Sequence, residues 1–92
     1  MTKNMITMDT TFDVRHCENS AISQVDFNNI AFGKVFSDHV FVMDYEDGEW
    51  KKGCIEPFGP MSMSPASMVL HYGQAIFEGM KAYRQQDGSV SL

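Results

Sequence analysis

The segment HYGQAIFEGMKAYR, from His71 to Arg84, holds a His-Tyr pair, two glycines and a Phe-Glu-Gly within a few turns of chain. Tyr72 offers a ring for apolar contact and a hydroxyl for one directed hydrogen bond. That combination suits a small ligand with an apolar part and a carboxylate. It suits equally a tyrosine packed on a sheet with its hydroxyl at the solvent. Gly79, in an extended stretch, marks either the close approach of a ligand or neighbouring backbone, or a simple bend. Phe32-Gly33, within NNIAFGKVFSDH, reads as a pocket wall or as an anchor pinning the preceding segment to the domain.

Other chemistries find little support. His16-Cys17, His39, Cys54 and His71 form no C-x2-C or H-x3-H pair, so the spacing predicts no metal site. A nucleophilic cysteine needs a base and an orienting third group, and nothing in the pattern supplies them. There is no G-x-S-x-G, P-loop or G-x-G-x-x-G motif.

The elements that must position these residues follow from local signals. His39–Tyr45 is rich in β-branched and aromatic residues and reads as a strand. Asp47-Gly48 predicts a type I′ turn, and Glu49 to Glu56 the returning strand, with Pro57 as its end. Ser64-Pro65 predicts a helix start, with Ser64 as cap and Pro65 at the first helical position. Ala66–Tyr72 then form the helix and Gly73 stops it. Phe77–Arg84 reads as a second strand, Asp87-Gly88 as a turn, and Ser89–Leu92 as the start of its partner. Residues 1–29 are polar and weakly patterned, which predicts a loosely structured N-terminal arm. Residues 30–92 read as an incomplete small α/β domain, a sheet with one short helix; the class is α+β. The last arm is too short to complete the strand opposite Phe77–Arg84, which predicts a piece of a larger α/β protein.

The chain has 92 residues, room for one small domain at most. Its net charge of −5 argues against nucleic acid or an anionic membrane as partner, since both would repel it. The two cysteines read as free thiols. The N-terminus lacks the apolar core of a secretory signal, and no apolar run approaches the ~20 residues of a membrane helix. These features predict a cytoplasmic protein.

LHYGQAIFEGMKAYR, with the DG-containing loop that follows, resembles the branched-chain amino acid aminotransferases, pyridoxal-phosphate enzymes of fold type IV. AFGKVFSDHVFVMDYEDGEWKKGCIEPFGPMSMSPASMVLHYG is similar to the same family, and its F-G-K-x-F-x-D-H stretch points away from the sister D-amino acid aminotransferases and aminodeoxychorismate lyases. The resemblance covers 30–92. It implies the N-terminal part of the family's small domain, built of β-hairpins and a short helix. It also implies transfer of an amino group between leucine, isoleucine or valine and 2-oxoglutarate, and a homodimer when complete. Phe32, Tyr72 and Phe77 match substrate-pocket positions of the family, the two phenylalanines against the branched side chain. Glu78 and Gly79 would be structural. The family's cofactor lysine is expected far downstream of Leu92, and the basic residue for the cofactor phosphate soon after it. No catalytic or cofactor-binding residue is therefore expected here, and the chain alone is expected to be inactive. The rival reading is a small interaction module that pairs through an open sheet edge.

Overall fold

The computed structural model describes residues 6–8 and 11–92. It divides into two compact units, 1–60 and 61–92. The expectation of a loose start to the arm falls partly outside the described residues.

In the first unit, a four-stranded sheet is ordered β1 (Ile6–Met8), β2 (Phe12–Arg15), β6 (Gly53–Pro57), β3 (His39–Val42). β1 runs antiparallel to β2, β2 parallel to β6, and β6 antiparallel to β3. The structure differs here from the sequence reading, which makes residues 1–29 a loose arm. Two strands and a 3-10 turn at Ile22–Gln24 lie within that span. Phe12-Asp13-Val14-Arg15 alternates over only four residues, too few to stand out as a strand without its neighbour β6. The unit boundary likewise follows Pro60 rather than residue 29.

The predicted hairpin forms in two ladders. Near its base, His39↔Pro57 through Val42↔Cys54 pair β3 with β6. At its tip, Tyr45↔Trp50 and Glu46↔Glu49 pair β4 (Tyr45–Glu46) with β5 (Glu49–Trp50). Between them, residues 43–44 face residues 51–53, so the returning arm carries one extra residue. That is the arithmetic of a β-bulge, which bends and twists the hairpin. Lys51 N–H still reaches Asp44 C=O at 2.8 Å. The tip turns as expected, with φ of 53° at Asp47 and 80° at Gly48. Positive φ at both is what a type I′ turn demands. The Tyr45 and Trp50 rings meet edge-on at 5.1 Å across the tip.

Pro57 does not end the pairing. Phe58 N–H donates to Asp38 C=O at 2.8 Å, one residue further on. Bonded pairs alternate with non-bonded ones in an antiparallel ladder. His39↔Pro57 is thus a non-bonded pair, and the missing N–H costs this ladder nothing.

Gly53 is the buried residue among those described. A β-carbon there would lie 2.5 Å from Phe41 Cζ and 2.7 Å from Cε1. The Phe41 ring therefore lies on the glycine backbone, and Phe12, the parallel partner of Gly53, meets the same ring edge-on at 5.9 Å. Two ion pairs flank this contact, Arg15–Glu56 and Lys52–Asp13, each at 3.1 Å. All four side chains are partly exposed, so each pair contributes at most about 1 kcal/mol.

In the second unit the helix α1 is shorter than predicted, Met68–Tyr72, with Ser67 rather than Ser64 at its N-cap position. Ser64-Pro65-Ala66-Ser67 is a turn instead, closed by Ser67 N–H to Ser64 C=O at 3.0 Å. Ser64 Oγ accepts from Ala66 N–H at 3.1 Å, so its side chain serves the turn. Proline's fixed φ suits the second turn position as well as a first helical one, and the turn wins. The helix stops where expected, on Gly73 in the left-handed region at φ 60° and ψ 28°.

The strand predicted over Phe77–Arg84 shrinks to β7, Tyr83–Arg84, paired with β8, Val90–Ser91. Residues 77–82 have suitable residue types but no partner ladder among the described residues, and a strand is defined by its partner. The second turn is present: Gln85 N–H bonds Ser89 C=O at 2.7 Å, and Gly88 N–H bonds Gln85 C=O at 3.0 Å. No described helix is long and apolar enough to cross a membrane.

Two outcomes follow from these contacts. Gly53→Ala should lower stability by about 1–3 kcal/mol, the usual cost of overpacking, read from the urea midpoint; an unchanged midpoint would show that Phe41 does not rest on the backbone. The Asp87 carboxylate accepts from Ser89 Oγ at 2.6 Å and Ser89 N–H at 2.9 Å, and the two bonds hold its pKa below the ordinary value. A depressed folded pKa stabilises the turn above the ordinary aspartate value and loses that contribution as pH falls through the folded one. The Ser89 amide resonance should therefore titrate with a midpoint below about 3.9. A midpoint at or above that value would contradict the bonding.

Candidate functional site

Phe32 belongs to the first unit. It sits in a turn closed by Lys34 N–H to Ala31 C=O at 3.3 Å. Its side chain is 98% exposed, so it does not anchor the preceding segment to the described surface of that unit. Phe27, Ile30, Val35 and Phe36 instead line an apolar hollow of about 450 Å³ that reaches Asp38 and His39. Phe36 also stacks on Phe58, rings 5.1 Å apart.

Tyr72 and Phe77 belong to the second unit. Tyr72 is the last residue of α1, directly before the left-handed Gly73, and Phe77 follows a short irregular connector. Their exposures are 79% and 92%. No ring contact joins them among the described residues. Glu78 is exposed as well. A β-carbon on Gly79 would meet no described atom within 4 Å, so no close approach explains that glycine here. His71 has a structural partner: its Nε2 hydrogen-bonds the Pro65 carbonyl across the turn before the helix.

The most connected polar group lies elsewhere, at Asp38-His39. The Asp38 carboxylate accepts from Ser20 Oγ and from Ala21 N–H at 2.9 Å. These two bonds, the serine hydroxyl first, hold its pKa below the usual carboxylate value. Cys17 N–H donates to His39 Nε2 at 3.0 Å. The neutral ring must then carry its proton on Nδ1. The His16 ring meets the His39 ring edge-on at 6.1 Å. Asp38 and His39 thus tie residues 16–21 to the base of the hairpin. Sequence reasoning weighs Cys17 and His39 and sets them aside, because they are some twenty residues apart, and it does not consider Asp38 at all. The adjacent acid and histidine in FSDH, at a strand start, were the available signal.

The lysines have no such setting. Lys51 pairs with Glu49 at 2.9 Å, Lys52 pairs with Asp13, and Lys34 and Lys81 are exposed. Lys3 is outside the described residues.

No protein-family model matches the chain. Curated proteins do. It is 52% identical over 68 residues to branched-chain-amino-acid transaminase 1 of Bacillus subtilis, covering 73% of this chain and 19% of that protein. Over the same length it is 54% identical to branched-chain-amino-acid aminotransferase 2 of that organism, with the same coverage of both. Identity is 43% over 72 residues to the chloroplastic branched-chain-amino-acid aminotransferase 5 of Arabidopsis thaliana, covering 77% of this chain and 17% of that protein. Its relatives are branched-chain amino acid aminotransferases. The chain spans about a fifth of the length of the Bacillus relatives it matches, so what is matched is a fragment of such an enzyme. The reading as a free-standing interaction module is not favoured by these relatives.

Proposed function

We propose that this chain supplies the N-terminal part of the small domain of a fold type IV branched-chain amino acid aminotransferase. The observation that carries the reading is the 52–54% identity to the two Bacillus subtilis relatives across 68 residues. The complete protein would move the amino group of leucine, isoleucine or valine to 2-oxoglutarate, act as a homodimer and reside in the cytoplasm.

In this reading Phe32, Tyr72 and Phe77 line the substrate side-chain pocket. Large aromatic surfaces at high exposure are what a binding wall offers before it is covered. Burying a leucine side chain against such walls contributes roughly 1.5–3 kcal/mol. One methylene more or less changes selectivity by only about 1–3 kcal/mol, so all three branched substrates fit one pocket. The Tyr72 hydroxyl adds a single polar contact that can orient the ligand.

Pyridoxal phosphate would supply the electron sink for amino transfer. The described residues do not fit its covalent attachment. That role needs a lysine whose charge is destabilised by burial or a neighbouring cation. Lys51 and Lys52 are instead paired with carboxylates, and Lys34 and Lys81 are exposed. This chain's share of the reaction is substrate recognition.

One experiment with two arms tests the proposal. The isolated chain, mixed with pyridoxal phosphate and treated with borohydride, should yield no stoichiometric lysine adduct and no turnover of leucine. A chimaera with this segment in place of the matching residues of the Bacillus subtilis transaminase should be active. In that chimaera Phe77→Ala should lower kcat/KM for leucine about 10–100-fold, the loss of an apolar wall. An adduct with turnover in the first arm, or an unchanged kcat/KM in the second, would overturn the assignment.

A further inference from the structure

The fold brings together three side chains of metal-binding type that the sequence keeps apart. One donor atom each from Cys17, Asp38 and His39 lies within 4.8 Å of the others, and all three residues are half-buried. We propose that they form a site for a divalent cation of the zinc class, with water completing the coordination.

Sulfur, imidazole nitrogen and carboxylate oxygen together select zinc-like ions rather than magnesium or calcium, which prefer all-oxygen sites. Three protein ligands leave one position open for water. Zinc bonds of about 2.0–2.3 Å place tetrahedral ligands under about 4 Å apart, so the side chains must close by about 1 Å. Cys17 is a free thiol and can supply the sulfur. As the sulfur–metal bond forms, the thiol proton leaves to solvent.

The frame for this closure exists already. Cys17 N–H holds the imidazole at Nε2, which sets the Cys17 backbone beside the ring. Ser20 Oγ and Ala21 N–H orient the Asp38 carboxylate, and each oxygen keeps a second lone pair for a cation. Capture through Nε2 exchanges the Cys17 N–H bond for a metal bond while the ring proton stays on Nδ1; the neutral ring has one lone pair, so the ion replaces the amide as its partner. The ion then joins the segment around Cys17 to the base of β3.

Cobalt(II) is the probe, since a thiolate ligand gives it a charge-transfer band in the near ultraviolet. Titration of the reduced chain should saturate at one equivalent with that band. Cys17→Ala removes the sulfur but keeps the backbone N–H that bonds His39, so the local fold is retained. It should abolish the band and weaken binding at least tenfold, since even the partners behind metal ligands contribute about 10–100-fold. His39→Gln should weaken it comparably. Cys54→Ala should leave both band and affinity unchanged. The proposal fails if no band appears, if Cys17→Ala binds equally well, or if the band is lost with Cys54.

Discussion

The pairing of β6 on both of its edges is the constraint on which the first unit depends. β6 takes β3 from its own hairpin on one side and β2, from some forty residues earlier, on the other. The second pairing is parallel, so no tight turn could have made it. Once it forms, Phe12 and Phe41 converge over Gly53, and Arg15 comes within reach of Glu56. The Asp38–His39 cluster then gains its partners at residues 17–21. No described apolar side chain is fully buried, so backbone pairing and a few ring contacts set the geometry here, in place of a packed interior.

The same lack of a packed interior leaves large rings exposed. Phe32 stands in a turn, Tyr72 at a helix end and Phe77 in an irregular stretch, and the described surroundings leave all three rings uncovered. The chain covers about a fifth of its Bacillus relatives, and in the proposed reading these rings form binding walls that the rest of the enzyme closes over.

Much of the fold was legible where the signal is local. Asp47-Gly48 and Gly73 specify positive φ, and both turned as their chemistry demands. What depended on distant partners was not legible. β2 looks like polar arm until β6 lies beside it, and 77–82 looks like strand although nothing described pairs with it. The helix start was misplaced by two equally local preferences of Ser-Pro, between which only the realised turn decides. The candidate aromatic site residues rest on likeness to a family, since no spacing distinguishes a pocket ring from a core ring. The Cys17–Asp38–His39 cluster needed the fold itself.

Amide hydrogen exchange on the whole chain separates the β6 pairing that holds the first unit from residues 77–82, which pair with no described residue. Exchange should be slowest at the ladder amides of Gly53–Glu56 and Val40–Val42, and near-unprotected over 77–82. Protection of 77–82 equal to that of β6, or an unprotected β6, would contradict that arrangement.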